Sequence, residues 1–222
     1  MIPRTLLATA RIPGGSEMKL YRRGGDHMIL VDRDELMSSR MSGSEEALAL
    51  LTAQRLGARS AQHWLIGGYG MGFTLRAALA GLPLDGRVTV AELVPEIIDW
   101  ANGPMAAMTG SSLDDPRVTI AIGDVADMIA GGNGAYDAIL LDVDNGPDGL
   151  VRDDNDRLYC AAGLAAAKAA LTAGGILAIW SAAPDPRFAQ RLAGAGFHLD
   201  QRTVRARSNG KGPRHTIWLA MV

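Results

Sequence analysis

The 222-residue sequence has a single cysteine and only four histidines. One cysteine, Cys160, excludes an internal disulfide and any cysteine cluster for zinc or iron–sulfur binding. The four histidines are scattered along the chain, at His27, His63, His198 and His215. We therefore expect no metal site, and the lack of disulfides favours a reducing compartment, the cytoplasm.

The chain also has no large excess of positive or negative charge and no long apolar segment. The formal net charge is −2, and aromatic residues make up 5% of the chain. No apolar run approaches the roughly 18–20 residues of a membrane span, and the apolar stretch at the N-terminus is too short for a signal peptide. We therefore expect neither membrane association nor nucleic-acid binding.

The composition is that of a folded globular protein, with 48% hydrophobic and 21% charged residues. From residue 63 onward, apolar runs alternate with helical patterns. The predicted strands are 63–67, 87–92, 117–122, 136–142 and 175–181, and the predicted helices are 71–82, one from Pro95, one after Asp124, and 156–172. Segment 138–141 is apolar on both faces, as in central parallel strands covered by helices. Four tryptophans lie within such patterns and are assigned to the core: Trp64, Trp100, Trp180 and Trp218.

Both ends of the chain depart from this alternation. Two apolar-alternating runs between 18 and 39 flank the turn residues 23–26 and predict an N-terminal β-hairpin, followed by a helix from about residue 42. Two further strands flank residues 209–213 with no helix between them and predict a terminal antiparallel hairpin. The predicted fold class is α/β: a Rossmann-like, seven-stranded, mostly parallel sheet whose last strand is antiparallel. We expect a short hairpin lobe at 1–41 and a nucleotide-binding transferase domain at 42–222.

A glycine-rich loop follows the first strand of the main domain. It comprises Gly67, Gly68, Tyr69, Gly70 and Gly72. Glycines at a strand-to-helix turn allow positive φ and let a nucleotide approach the backbone. The alternative is a tight turn without a ligand.

Acidic residues follow the next two strands. Glu92 lies about 20 residues beyond the loop, where a carboxylate can bind both ribose hydroxyls. Asp124 follows the next strand and either contacts an adenine amino group, caps the following helix, or does both. Their neighbours Leu93 and Val125 complete the predicted nucleotide site.

A carboxylate-rich loop follows the fourth strand. Asp142 and Asp144 are the predicted catalytic residues, able to attract a substrate amine or accept its proton. The alternative is that they only cap or solvate the loop.

The motifs IGGYGMGFTLR, VAELVPEIIDWA, DDPRVTIAIGD, YDAILLDVDNGP and LTAGGILAIWS together resemble the spermidine synthase family. The family has the class I S-adenosylmethionine-dependent methyltransferase fold, and the resemblance covers roughly residues 18–182. It implies that the glycine-rich loop holds the methionine part of the donor nucleotide. It also implies that Glu92 holds the ribose and Asp124 the adenine, and that Asp142 lies beside the reacting amine.

The sequence also departs from the family pattern. Family aminopropyltransferases have Asp-Ser-Ser-Asp-Pro after the fourth strand, where this chain reads DVDNGP from Asp142, and the loop position usually occupied by aspartate is Gly70. Our leading hypothesis is therefore an S-adenosylmethionine-dependent methyltransferase acting on a small amine or similar acceptor. The second is an aminopropyltransferase of the polyamine biosynthesis type, using decarboxylated S-adenosylmethionine. The third is a non-catalytic nucleotide-binding protein. The family also makes a homodimer plausible.

An RNA methyltransferase is a further, less favoured hypothesis. It depends on a group of basic residues in the terminal hairpin: Arg202, Arg205, Arg207, Lys211 and Arg214. Arginines at alternating positions more often line the solvent face of an edge strand, where their charge discourages aggregation.

Overall fold

The computed structural model describes residues 2–143 and 156–222. The N-terminal part forms a four-stranded antiparallel sheet, in the order β1 (Thr5–Arg11), β2 (Glu17–Arg23), β3 (Asp26–Val31) and β4 (Asp34–Ser38). The predicted hairpin corresponds to β2 and β3, joined by a turn at Gly24 and Gly25. The sequence did not reveal β1, which pairs with β2 and enlarges the predicted hairpin lobe into a sheet.

A second, seven-stranded sheet forms the main body. Its strands are β5 (His63–Gly67), β6 (Arg87–Glu92), β7 (Val118–Ile122), β8 (Tyr136–Leu141), β9 (Leu171–Ser181), β10 (His198–Arg205) and β11 (Arg214–Met221). Their spatial order is β10-β11-β9-β8-β5-β6-β7, with β11 antiparallel to both neighbours and parallel pairing from β9 to β7. The predicted fold class, with its terminal antiparallel hairpin, is confirmed.

Helices connect the parallel strands. They are α1 (Gly43–Leu56), α2 (Phe73–Gly81), α3 (Pro95–Asn102), α4 (Ala106–Thr109), α5 (Val125–Gly131), α6 (Asp156–Tyr159), α7 (Ala161–Ala170) and α8 (Pro186–Gly194). The helix predicted over 156–172 is two helices, because Cys160 has extended backbone between them. None of the helices in the two described ranges combines the length and hydropathy needed to cross a bilayer.

The central strands are buried on both faces of the sheet. Trp64 and Ile66 of β5 pack into one apolar cluster, whereas Leu65 between them packs into the other. All three are fully buried, and each large apolar side chain removed from water contributes about 1.5–3 kcal/mol. This two-sided burial explains why the strand sequences are continuously apolar rather than alternating.

The N-terminal sheet shares the first of these clusters. Leu20, Ile29 and Val31 belong to the same group of buried residues as Ile66 and Met71. The turn before α1 falls at the predicted boundary near residue 42. Because the core is continuous across that boundary, the division into domains at 1–41 and 42–222 remains a prediction.

Candidate active site

A cleft lies at the carboxyl ends of the parallel strands, where open α/β sheets bind their ligands. The N-terminal sheet contributes one wall and the strand ends contribute the other. Among the described residues the cleft is lined by Ile12, Met18, Ile29, Leu36, Met37, Glu45, Gly68, Gly70, Ala91, Glu92, Leu93, Val94, Ile97, Gly123, Asp124, Val125, Asp142, Val143 and Trp180.

The glycine-rich loop lies between the end of β8 and the N-terminal sheet. Gly68 has φ +84°, and a Cβ there would lie 2.8 Å from the carbonyl oxygen of Asp142. Gly70 has φ +53°, and a Cβ there would lie 2.5 Å from Sδ of Met37. At Gly68 the left-handed backbone and the contact with backbone atoms together require glycine. At Gly70 the left-handed backbone favours glycine, while the close contact is with the end of the flexible Met37 side chain.

Glu92 holds this loop in place from the end of β6. Its Oε2 accepts a hydrogen bond from the backbone N–H of Tyr69 at 2.8 Å, and its Oε1 accepts one from Val94 at 2.8 Å. Burial raises the pKa of Glu92, while these backbone donors act in the opposite direction. The carboxylate therefore orders the loop and also lines the cleft. The predicted ribose contact would use its remaining lone pairs, which can accept hydrogen bonds from hydroxyl groups.

Asp124 caps α5, one of the two roles predicted for it. Its Oδ1 accepts a hydrogen bond from Ala126 N at 2.9 Å. Its Oδ2 lies 2.6 Å from the guanidinium of Arg157, which also reaches Asp127 at 3.3 Å. The cap is confirmed, and contact with an adenine remains a prediction.

Asp142 follows β8 and has a polar partner on α2. The hydroxyl of Thr74 donates to its Oδ2 at 2.6 Å. Burial raises the pKa of Asp142 to about 6, against the opposing effect of the Thr74 bond. At pH 7 the carboxyl is therefore mostly ionised, with about one tenth of it protonated, and an ionised group with a pKa this close to neutral suits the acceptance of a proton from a substrate.

A second carboxyl, that of Glu45 in the first turn of α1, faces the same end of the cleft. Burial, followed by repulsion from the charge of Asp142, raises the pKa of Glu45 to about 8. Ser44 donates a hydrogen bond to Glu45 Oε2 at 2.8 Å. The two carboxyls therefore form an electrostatically coupled pair, and the first proton is lost from Asp142 more readily than the second from Glu45.

Trp180 forms the wall beside this pair. Its ring meets that of His215 edge to face, with 4.8 Å between centroids. Its buried indole Nε1 has no hydrogen-bond partner among the described residues. The tryptophan assigned to the core from sequence is thus also a residue that lines the cleft.

The carboxyl pair makes the stability of the protein depend on pH. Folding raises both pKa values, from ordinary values of 4.5 and 3.8 to about 8 for Glu45 and about 6 for Asp142. The folded chain therefore binds more protons than the unfolded chain between these limits, so this pair's contribution to stability decreases as pH rises from about 4 to about 8. We expect Glu45→Gln to make the melting temperature fall less steeply over this interval than in the wild type, as followed by circular dichroism.

The matched control for this prediction is Glu96→Gln. This variant changes a glutamate in the first turn of α3 that does not line the cleft. Its melting temperature should follow the wild-type slope. Parallel curves for the wild type and Glu45→Gln would show that the buried pair does not carry the pH dependence.

The structure brings most of the predicted site residues together. Those that line the cleft are Gly68, Gly70, Glu92, Leu93, Asp124, Val125 and Asp142. Gly67, Tyr69 and Gly72 belong to the loop but do not line the cleft, and the phenol of Tyr69 packs against Gly72 instead. Asp144 lies outside the described residues. The ligand-binding and catalytic roles of all of these residues remain predictions.

Four polar residues of the site were missed from sequence: Ser44, Glu45, Thr74 and His215. From the sequence, Glu45 is an acidic residue at a helix start, within the segment 43–46 where the resemblance retains only a glutamate of the family pattern, and it is not assigned to the site. No group of three or more potential metal ligands occurs within residues 2–143 and 156–222.

No family model matches the chain. A polyamine aminopropyltransferase of Corynebacterium efficiens is 37% identical over 146 residues, which are 62% of this chain and 27% of that protein. One from Mycobacterium tuberculosis is 29% identical over 171 residues, 76% of this chain and 31% of that protein. The chain therefore spans less than a third of the length of these curated relatives.

Solved structures show the same fold. Spermidine synthase from Thermotoga maritima superposes with a TM-score of 0.75 at 16% identity, covering 97% of this chain and 72% of that one. The same values hold for a spermidine synthase in complex with the transition-state analogue AdoDATO. A probable spermidine synthase from Corynebacterium glutamicum gives a TM-score of 0.65 over 98% of this chain and 79% of that one. The chain therefore has the fold of these solved spermidine synthases, and over part of its length it is similar in sequence to polyamine aminopropyltransferases.

Proposed function

We propose that the protein transfers an aminopropyl group from decarboxylated S-adenosylmethionine to a small amine. The relatives support this proposal, since those reported above are polyamine aminopropyltransferases and spermidine synthases. Methyl transfer, our leading hypothesis from the sequence, gains no specific support from them.

The charge of the cleft is the observation that carries the proposal. Its charged lining residues are all acids among the described residues: Glu45, Glu92, Asp124 and Asp142. Intact S-adenosylmethionine has a carboxylate on its methionine part, and none of the described residues that line the cleft is a lysine or arginine that could bind it. The decarboxylated donor has a sulfonium and an ammonium and no carboxylate, and the acceptor amine is also a cation. An acidic cleft attracts both substrates.

The chemistry needs in-line geometry and one proton acceptor. The acceptor ammonium loses a proton to the carboxylate of Asp142, and its free nitrogen attacks the methylene carbon next to the sulfonium. A carbon–nitrogen bond forms, the carbon–sulfur bond breaks, and sulfur retains the electron pair as a neutral thioether. The product is a secondary ammonium, and the proton held by Asp142 balances the reaction. The protein contributes mainly positioning and proton removal.

Donor selection provides the test. In calorimetric titrations of nucleotide-free protein, we expect decarboxylated S-adenosylmethionine to bind at least tenfold more tightly than the intact form, a difference of about 1.4 kcal/mol. The product nucleoside 5′-methylthioadenosine is the matched control, since it has neither the ammonium nor the carboxylate and reports the nucleotide subsite alone.

The outcomes separate the three hypotheses. Equal or tighter binding of the intact donor would contradict the proposal and favour methyl transfer. Tight binding of the decarboxylated donor without an aminopropylated product from any of a panel of amines, followed by mass spectrometry, would favour a non-catalytic nucleotide-binding protein. A homodimer remains a separate prediction.

A further inference from the structure

A hydrogen-bonded chain leads from the carboxyl pair to the terminal hairpin. Ser44 Oγ lies 2.8 Å from Oε2 of Glu45 and 2.8 Å from Nδ1 of His215. Ser44 is fully buried, whereas His215, near the start of β11, is partly exposed. These hydrogen bonds therefore join an acidic group of the cleft to an imidazole that is partly exposed to solvent.

The hydroxyl of Ser44 has one proton and can direct it either way. When Glu45 is ionised, the hydroxyl donates to the carboxylate and accepts from Nδ1–H of His215. When Glu45 is protonated, the acid donates to the hydroxyl, which then donates to a bare Nδ1. A proton on Glu45 is thus coupled through one hydroxyl to the tautomer of the imidazole.

We propose that Ser44 and His215 are positioning residues that relay a proton from Glu45 to solvent and so restore the proton-accepting carboxyl pair after each turnover. The relay depends on the proposed function for its role in catalysis, because aminopropyl transfer leaves one proton on the pair. The accepted proton neutralises Asp142, whose charge otherwise raises the pKa of Glu45. Glu45 then releases its own proton to Ser44 Oγ as the hydroxyl proton passes to Nδ1 of His215. Movement of the proton on Asp142 to the ionised Glu45 completes the cycle and returns the charge to Asp142. The imidazolium then releases a proton to water, and no atom other than hydrogen is exchanged.

The surroundings of Glu45, Ser44 and His215 suit this role. Asp142 faces Glu45 from the end of β8, and its charge raises the pKa of Glu45. Glu46, on the same helix as Glu45, raises that pKa further. Arg76 of α2 interacts with Glu46. Burial lowers the pKa of His215, so the ring is mostly neutral near neutral pH and can accept a proton transiently. Edge-to-face packing on Trp180 fixes the ring plane.

The first experiment measures the tautomer of His215 and needs no substrates. In ¹⁵N spectra of imidazole-labelled protein, we expect the neutral ring to change from the Nε2–H to the Nδ1–H form as pH rises through the pKa of Glu45, about 8. Glu45→Gln and Ser44→Ala should each abolish this change. His63, bonded to Ala135 O and Thr89 Oγ1 away from the cleft, is an internal control whose tautomer should not change. A single tautomer of His215 throughout would overturn the relay.

The second experiment measures turnover with decarboxylated S-adenosylmethionine and an acceptor amine. We expect His215→Ala to lower kcat about tenfold with little change in KM, and imidazole added to the buffer to restore most of the loss. In Ser44→Ala imidazole should restore nothing, because the link to Glu45 is gone. His198→Ala, which removes an exposed histidine of β10, is the matched control and should match the wild type.

These two experiments fail in different ways. A tautomer change without turnover would refute the proposed function and, with it, the catalytic role of the relay, while leaving the coupling of Glu45 to His215 intact. Turnover with a kcat for His215→Ala that imidazole does not restore would refute the relay and leave the proposed function standing.

Discussion

We expect Asp142→Asn to lower kcat for aminopropyl transfer by a factor of roughly 10²–10⁴, the usual contribution of a positioned proton acceptor. Asparagine keeps the size of the side chain and can still accept the hydrogen bond from Thr74, but it cannot take a proton from the acceptor ammonium. Single-turnover kinetics with saturating donor measure the chemical step directly. Donor affinity, measured by calorimetry, should change much less than kcat.

The control for this variant is Asp127→Asn, which changes an acid on α5 that is 75% exposed and does not line the cleft. It should retain wild-type kcat. An Asp142→Asn enzyme within threefold of wild type would show that another group accepts the proton. Asp144→Asn, measured in parallel, tests the prediction that Asp144 assists.

We expect Glu92→Gln to weaken binding of decarboxylated S-adenosylmethionine by more than tenfold and to destabilise the fold. A glutamine amide has only one oxygen, so its NH₂ group must face the N–H of either Tyr69 or Val94. One buried backbone donor then loses its acceptor, which costs about 1–3 kcal/mol. Chemical denaturation measures the stability, and calorimetry measures the affinity.

A matched control is Glu96→Gln, in the first turn of α3, which does not line the cleft. Both quantities should stay close to wild type in that variant. If Glu92→Gln lost stability but retained donor affinity, the carboxylate would serve the loop alone and the predicted ribose contact would be wrong.

Local sequence patterns predicted most of the main sheet. Strands such as 138–141 are apolar throughout because both faces are covered, and the turn residues at 209–213 separate two strands with no helical pattern between them. The strand β1 has no such signal, since its residues are largely exposed. Helix α8 has a clear amphipathic pattern and a capping aspartate, Asp185, followed by Pro186, and that signal was overlooked.

The site was predictable only where it follows the strands. Gly68, Glu92, Asp124 and Asp142 occur directly after β5, at the end of β6, after β7 and after β8, so topology alone brings them to one edge. Glu45 and His215 come from the first helix and the last strand, and no local pattern indicates that Ser44 links them. An acid at a helix start is usually explained by the helix dipole, which concealed the second carboxyl of the pair.

The contact of Met37 with the glycine-rich loop has a consequence for how the cleft varies. The residues that the N-terminal sheet and its connecting turns present to the cleft, including Ile12, Ile29 and Met37, precede residue 42, whereas the loop, Glu92 and Asp124 follow it. One wall of the cleft is therefore encoded separately from the predicted nucleotide site. Substitutions in the first 41 residues can reshape that wall while the sequence of the nucleotide site is inherited unchanged, with Gly70 as the point at which the two must remain matched.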